Sequence, residues 1–340
     1  MQTSSDDFLY SWEMDRYDSG SIELMIAATD KEAGQAAADA VIDSGLKAID
    51  RGQRPVFWLM AAPSAFTFYS AFVERARTES RIVAMARQAE WFQFDDYPIS
   101  RKSPLFPVTF RHLLETEFYQ PLIHTVGNIG TINHLELTGN EQNDQLVIEG
   151  YKERLISVIE DPECYVIQVK GIGMDGHWGF HGAETPLDAE AGLIRVEMNP
   201  ANRRQQMIDW PEFYPEEENV PRYAVTCTVA LFLRADRIID IVPQPQKEYA
   251  VLACYGNDSI HPSLPSSAIK NHPEASSYLT LKSARSFLEL KELRSKDSNA
   301  RISPESLTRL KRYWQDKNNP EDAESNVRDM LKVLNDLELV

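Results

Sequence analysis

The sequence predicts an α/β protein: a doubly wound, mostly parallel sheet with helices on both faces, plus a C-terminal helical extension. Three observations predict it. Short apolar runs of strand length recur along the chain, segments of helical period separate them, and beyond about residue 281 the strand signals give way to helix starts. The run 56–60 is apolar throughout rather than alternating, as a strand covered on both faces requires. The chain divides into residues 1–21 as an N-terminal leader, 22–285 as one α/β domain and 286–340 as the extension.

Residues 1–20 show no periodic pattern and read as irregular. Residues 22–27 suit a first strand. Thr29 and Glu32 then make a capping box, opening a helix to about Arg51. The apolar run 56–60 ends before Pro63, a helix spans 66–78, and the strand 91–94 stops abruptly at Asp95-Asp96. Residues 105–119 suit an amphipathic helix, while 120–140 read as irregular around Gly127, Gly130 and Gly139. Residues 142–159 have helical period, and 164–169 form a buried-type strand. Further strands are expected at 193–198, 223–227 and 238–242, with helices near 201–209 and 247–254. In the extension, Ser303-Pro304 and Asn319-Pro320 are helix starts. Val327, Met330, Leu331, Leu334 and Leu337 make an apolar stripe that must pack on the domain or on a second subunit, as in a homo-oligomer.

With 43 % hydrophobic and 10 % aromatic residues the chain can bury a large core. Its formal net charge of −17 argues against a nucleic-acid partner and against an anionic membrane. It leaves room for a small anionic ligand, which needs only a few local cations. Cys164, Cys227 and Cys254 are widely spaced, with no Cys-x-x-Cys pair, and read as buried reduced thiols; no metal and no cofactor are implied. No signal-peptide pattern or membrane-length apolar run is present, so the cytoplasm is the expected location.

Four unusual segments each follow an expected strand: Ala62-Pro-Ser-Ala-Phe-Thr67, Asp95-Asp96-Tyr97, Gly171-Ile-Gly-Met-Asp175-Gly-His177 and Pro243-Gln-Pro-Gln-Lys247. Loops beyond the carboxyl ends of parallel strands share one edge of the sheet, where ligands bind. Strand order alone therefore gathers Asp95, Asp175, His177 and Lys247 at one rim. Each piece has a plainer reading. The aspartate pair could cap a turn, the glycine segment could be a tight turn around a core histidine, and Lys247 could be a solvated lysine.

Taken together, Phe92-Gln-Phe-Asp95-Asp-Tyr97, Gly171-Ile-Gly-Met-Asp175-Gly-His177-Trp-Gly-Phe180, Val220-Pro-Arg-Tyr-Ala-Val-Thr226 and Gln246-Lys247 resemble the glucosamine-6-phosphate deaminases in order and spacing, with His272-Pro273 before the last strand. The 6-phosphogluconolactonases also carry an Asp-Gly-His segment, but Asp-Asp-Tyr leans towards the deaminases. The resemblance implies that Asp95 carries a proton between C2 and C1 of an opened sugar, that His177 helps open the ring, and that Asp175 orients it. It implies Lys247 with Arg203 or Arg204 on a phosphate, helped by Ser64 and Thr67. Three departures stand against it. Ala65-Phe66 replaces two adjacent glycines of the phosphate loop, so Phe66 is expected to block or reshape that loop. Glu184, matching the glutamate that supports the histidine, is displaced by two residues, and Cys227-Thr-Val-Ala-Leu replaces a glycine-rich segment. Three functions follow: a divergent isomerase/deaminase of an amino-sugar phosphate, a lactonase-like hydrolase, or a non-catalytic sugar-phosphate-binding or interaction protein.

Overall fold

A computed structural model describes residues 8–15, 21–314 and 320–340. Among them the strands are β1 (Phe8–Asp15), β2 (Ser21–Ala27), β3 (Arg54–Leu59), β4 (Glu90–Gln93), β5 (Asp95–Asp96), β6 (Thr131–Asn133), β7 (Cys164–Lys170), β8 (Leu193–Glu197), β9 (Tyr223–Cys227), β10 (Arg237–Val242) and β11 (Ala275–Thr280). Eight form one sheet in the order β1-β2-β11-β10-β7-β3-β4-β6, parallel throughout except for the antiparallel β1–β2 pair. Strands β5, β9 and β8 make a small antiparallel sheet of their own.

Doubly wound architecture follows from what the central strands present. Neighbouring residues of a strand point to opposite faces. Phe57 stacks on Trp91 at 4.5 Å and meets Phe72, carried by the helix Phe66–Thr78. Its neighbour Trp58 meets Phe94 and Phe232, and Phe232 in turn stacks on Trp178. Both faces are thus sealed by aromatic contacts from different layers. The first helix, Asp30–Asp50, opens on the expected Thr29–Glu32 capping box.

Several local expectations are corrected. The segment read as an irregular leader contains β1, an antiparallel edge strand; residues 1–7 and 16–20 lie outside the described residues. Residues 120–126 are not irregular: a π turn, Glu115–Tyr119, carries the helix Phe110–Leu114 into Gln120–Val126, and β6 follows. The strands expected at 193–198 and 223–227 exist, but pair antiparallel in the small sheet. The helix Ser80–Gln88 had no expectation, and Arg285–Lys296 adds a helix to the two singled out in the expected helical extension.

Helices Pro304–Arg312 and Pro320–Asp336 follow the two proline signals, Asn319 itself lying outside the described residues. Met330, Val333, Leu334 and Leu337 are buried against the same core as the sheet, so the domain covers this stripe within one chain. Charge reinforces the docking. Buried Glu248 accepts three hydrogen bonds from the Arg309 guanidinium at 2.9–3.1 Å, and Arg294 donates to the carbonyls of Gly256, Ala300 and Glu338. Among the described residues no helix is long and apolar enough to cross a membrane.

At the middle of the main sheet, Lys170 and Asp240 face each other across β7 and β10 with no exposure and Nζ–Oδ1 at 3.1 Å. Tyr255 and Ser277 hydroxyls donate to the other oxygen of Asp240. Removing one member of such a pair leaves a buried charge uncompensated. Lys170→Met should therefore cost about 3–5 kcal/mol in urea unfolding. The double change Lys170→Met/Asp240→Leu should recover part of the loss, because the stranded charge goes while two hydroxyls lose their acceptor.

Candidate active site

The order of the main sheet creates a crevice. From β3 the chain moves outward through β4 to β6, and then returns to β7 on the other side of β3 and proceeds through β10 to β11. Loops leaving β3 and β7 therefore diverge at a topological switch point, where open α/β sheets bind ligands. One pocket lies there, lined by residues 60–64 after β3, Phe94 and Asp95 after β4, Gly171, Ile172, Gly173, His177, Gly179 and Phe180 after β7, and Gln244 and Lys247 after β10. Phe110, Gln205, Gln206, Asp209 and Trp210 complete the wall. Asp95, His177, Lys247 and Ser64 thus meet in one cleft.

The aspartate pair divides its labour. Asp96 accepts hydrogen bonds from the amides of Tyr97, Phe110 and Arg111 and from Gln93 Nε2, all at 2.8–2.9 Å. It is the anchor for the start of the helix Phe110–Leu114; burial lifts it to about 6 despite those donors. Asp95 faces the pocket. Its backbone pairs with Thr226 in the small sheet, and Gly179, at φ +62°, comes close enough that a Cβ there would lie 3.1 Å from its carboxylate. Burial, with repulsion from Asp96, raises Asp95 well above the usual carboxylate range.

His177 is fixed from both ends. Its carbonyl accepts from Ser266 Oγ at 2.8 Å and from Gly173 N–H at 3.0 Å, and its Nδ1 meets Asp175 Oδ1 at 2.6 Å. A Cβ on Gly173 would sit 2.2 Å from the imidazole, so only glycine leaves the ring its place. Asp175 stands behind His177 rather than on the pocket wall. Burial alone would raise Asp175, but the charge and hydrogen bonds of His177 hold it down at about 2. Asn199 Nδ2 lies 3.5 Å from Asp175 and 3.0 Å from Glu184. Glu184 is exposed and reaches the imidazole only through Asn199 and Asp175, so the structure keeps it out of the cleft. Asp175, Glu184 and Asn199 instead line a second cavity with Tyr249, Trp314 and Asn326, part of it from the C-terminal extension.

The anion-binding expectation fares differently. Lys247 is buried, not solvated; burial lowers it to about 8 against the opposing pull of Asp209 and Asp175. Arg203 is turned away into an ion pair with Glu217 at 2.6 Å, and Arg204 reaches the Tyr313 carbonyl at 3.5 Å. Neither lines the pocket. Thr67 lies against Gly34 of the first helix, with its hydroxyl buried, and also misses the pocket. Phe66 does not plug the loop: its ring is directed to Tyr69, 6.4 Å away. The loop is reshaped through its backbone. Pro63 has no N–H, Ala65 N–H donates to Ala62 and Phe66 N–H donates to Pro63, closing a 3₁₀ turn that runs into the helix.

Gln205, Gln206 and Asp209 were not expected from sequence. They share one face of the helix Pro200–Asp209, and Gln205 Oε1 accepts from Met174 N–H at 2.9 Å, tying that helix to the histidine loop. A polar face at i and i+4 beside the double arginine was the only available signal.

No family model matches the chain. In sequence it is 24 % identical over 193 residues to a glucosamine-6-phosphate deaminase of Staphylococcus epidermidis, covering 56 % of this chain and 72 % of that protein. A second such protein of the same species is 26 % identical over 148 residues, and one of Staphylococcus aureus 24 % over 150. These alignments cover 43 % and 44 % of this chain, and 56 % and 52 % of the relatives, so the chain spans only about half of their length. Among solved structures it superposes on a monomeric glucosamine-6-phosphate deaminase with a TM-score of 0.61 at 20 % identity, over 77 % of this chain and 98 % of that one. It also superposes on the 6-phosphogluconolactonases of Trypanosoma cruzi (0.58 at 11 %, over 80 % and 98 %) and Trypanosoma brucei (0.56 at 13 %, over 81 % and 99 %). The fold is shared with both groups.

Asp175 gives the site a measurable pH signature. Its folded value of about 2 lies below the ordinary 3.8, so its stabilisation is complete above that ordinary value and is lost as pH falls towards 2. By linkage this amounts to about 2 kcal/mol. The stability gap between the wild type and Asp175→Asn should shrink by about that amount between pH 5 and pH 2 in urea titrations; a constant gap would detach Asp175 from His177.

Proposed function

We propose that the chain, a divergent member of the glucosamine-6-phosphate deaminase/6-phosphogluconolactonase superfamily, is an aldose–ketose isomerase of sugars that releases ammonia when its substrate carries a 2-amino group. The observation that carries this reading is the pairing, on one pocket, of a buried carboxyl with raised proton affinity and an imidazole oriented by a depressed carboxylate. A group that takes a proton from C2 and returns it to C1 must bind that proton at near-neutral pH, which an ordinary solvated aspartate does poorly. Burial, with repulsion from Asp96, shifts the proton affinity of Asp95 upward, in the direction such a carrier needs. His177, with Nδ1 committed to Asp175, has Nε2 to serve the ring oxygen as the pyranose opens. Moving hydrogen from C2 to C1 of an opened 2-amino aldose leaves an iminium at C2, which water converts to a ketone and free ammonia.

Two other readings account for less. A lactonase needs a base for water, which His177 could supply, but gives the raised carboxyl of Asp95 no task. A purely binding protein has no use for either the Asp175–His177 pair or the buried Asp95, each of which carries a cost in burial.

Asp95→Asn keeps the shape of the side chain and deletes the base, so turnover should fall on the order of 10²–10⁴ with sugar binding and thermal stability near wild type. Ammonia release and ketose formation measure it, and unchanged turnover would exclude Asp95 as proton carrier. His177→Gln should slow ring-closed substrates more than pre-opened ones. Equal slowing of both would leave the histidine a structural role.

A further inference from the structure

We infer that the pocket takes a sugar whose far end, away from the reacting carbons, is an uncharged hydroxyl rather than a phosphate. This rests on the reading of Asp95 and His177 above and names the substrate class of that same site.

A protein holds a phosphate dianion with cationic side chains and a fan of backbone N–H groups, usually at a helix N-terminus. Both are depleted in this pocket. Among the described residues lining it, Lys247 is the one lysine or arginine, and Asp209 lines it too and acts on that lysine with opposite charge. The arginines nearest in sequence to the wall are committed elsewhere: Arg203 to Glu217 and Arg204 to the Tyr313 carbonyl. The loop after β3 offers a thin replacement, since Pro63 lacks an N–H and those of Ala65 and Phe66 are spent inside their own turn. A phosphate entering here would meet one buried cation already opposed by a carboxylate, and would bring a second negative charge towards Asp209.

What the wall does offer suits a hydroxyl. Ser64, Gln206 and Gln244 line the pocket, and their side chains can donate as well as accept. A sugar hydroxyl does both, whereas a phosphate dianion only accepts. Asp209 can accept from a hydroxyl, which turns a repulsive group into a useful one.

Isothermal titration on the full-length Asp95→Asn protein, whose turnover should be slowed on the order of 10²–10⁴ if the proton-transfer reading holds, decides this. Glucosamine and glucose are each compared with their 6-phosphates. The free sugars should bind at least about tenfold more tightly than their phosphates. Asp209→Asn, added to that background, should narrow the gap by about tenfold, through improved binding of the phosphates. Tighter binding of either 6-phosphate, or no binding of any of the four at millimolar concentration to a protein with an intact thermal melt, would overturn the inference. Undiminished turnover by the Asp95→Asn protein would sink the proton-transfer reading alone and leave the preference between free and phosphorylated sugar to be read as before.

Discussion

Lys170 and Asp240 hold the machinery in register. They occupy paired positions on β7 and β10, and neither has any exposure, so their attraction operates in a medium where it is strong and where breaking it is costly. The ammonium sits 4.5 Å above the Trp178 ring and 3.4 Å from Ser266 Oγ, the hydroxyl that donates to the carbonyl of His177. The functional loop is thus fastened at its histidine to the charged centre of the sheet. A shift of β7 against β10 by one residue would separate the charges, tilt Trp178 from beneath Lys170 and withdraw His177 from the pocket together.

On that frame, three aspartates on the loops around the pocket carry three different protonation environments. Asp96 is saturated by backbone donors and serves as an anchor. Asp175 is held low by the imidazole it orients, and Asp95, buried beside another carboxyl, is pushed up. Pairs of groups driven apart in this way are how one pocket runs acid and base steps at one pH. The separation comes from placement: Asp95 belongs to a short strand of the small sheet, paired with Thr226, whose hydroxyl accepts from Phe180 N–H on the histidine loop. The small sheet therefore ties the positions of Asp95 and the histidine loop together, a task the main sheet could not perform alone.

Much of this was legible in the chain. The central strands β3, β4, β7 and β10 are short with apolar cores, and their order sufficed to bring Asp95, His177 and Lys247 to one edge. What failed did so for physical reasons. Strand β1 is an edge with one partner and polar flanks, so it carries no two-sided apolar run. The helix through Tyr119 and Pro121 passes through a π turn, which breaks the 3.6-residue period on which helices are read. Strands β8 and β9 announce themselves as strands, but a strand pattern does not name its partner, and their antiparallel pairing follows from the tertiary fold. Arg203 and Arg204 illustrate the same limit at the site: their position in the chain suggested an anion, and only the presence of Glu217 and Tyr313 shows where they are committed.

The C-terminal extension belongs to this argument although none of its described residues lines the pocket. Glu248 follows Lys247 directly and opens the helix Glu248–Tyr255, with its side chain buried. A buried carboxylate at that point needs a partner, and Arg309 of the extension supplies a bidentate one, with Ser286 donating to the same oxygen. The turn that presents Lys247 to the pocket is therefore stabilised by a residue more than sixty positions later. Trp314 and Asn326 reach further and help line the cavity behind Asp175, on the far side of the carboxylate that orients His177. The extension thus touches both sides of the pocket, through the backbone that carries its lysine and through the wall behind its histidine.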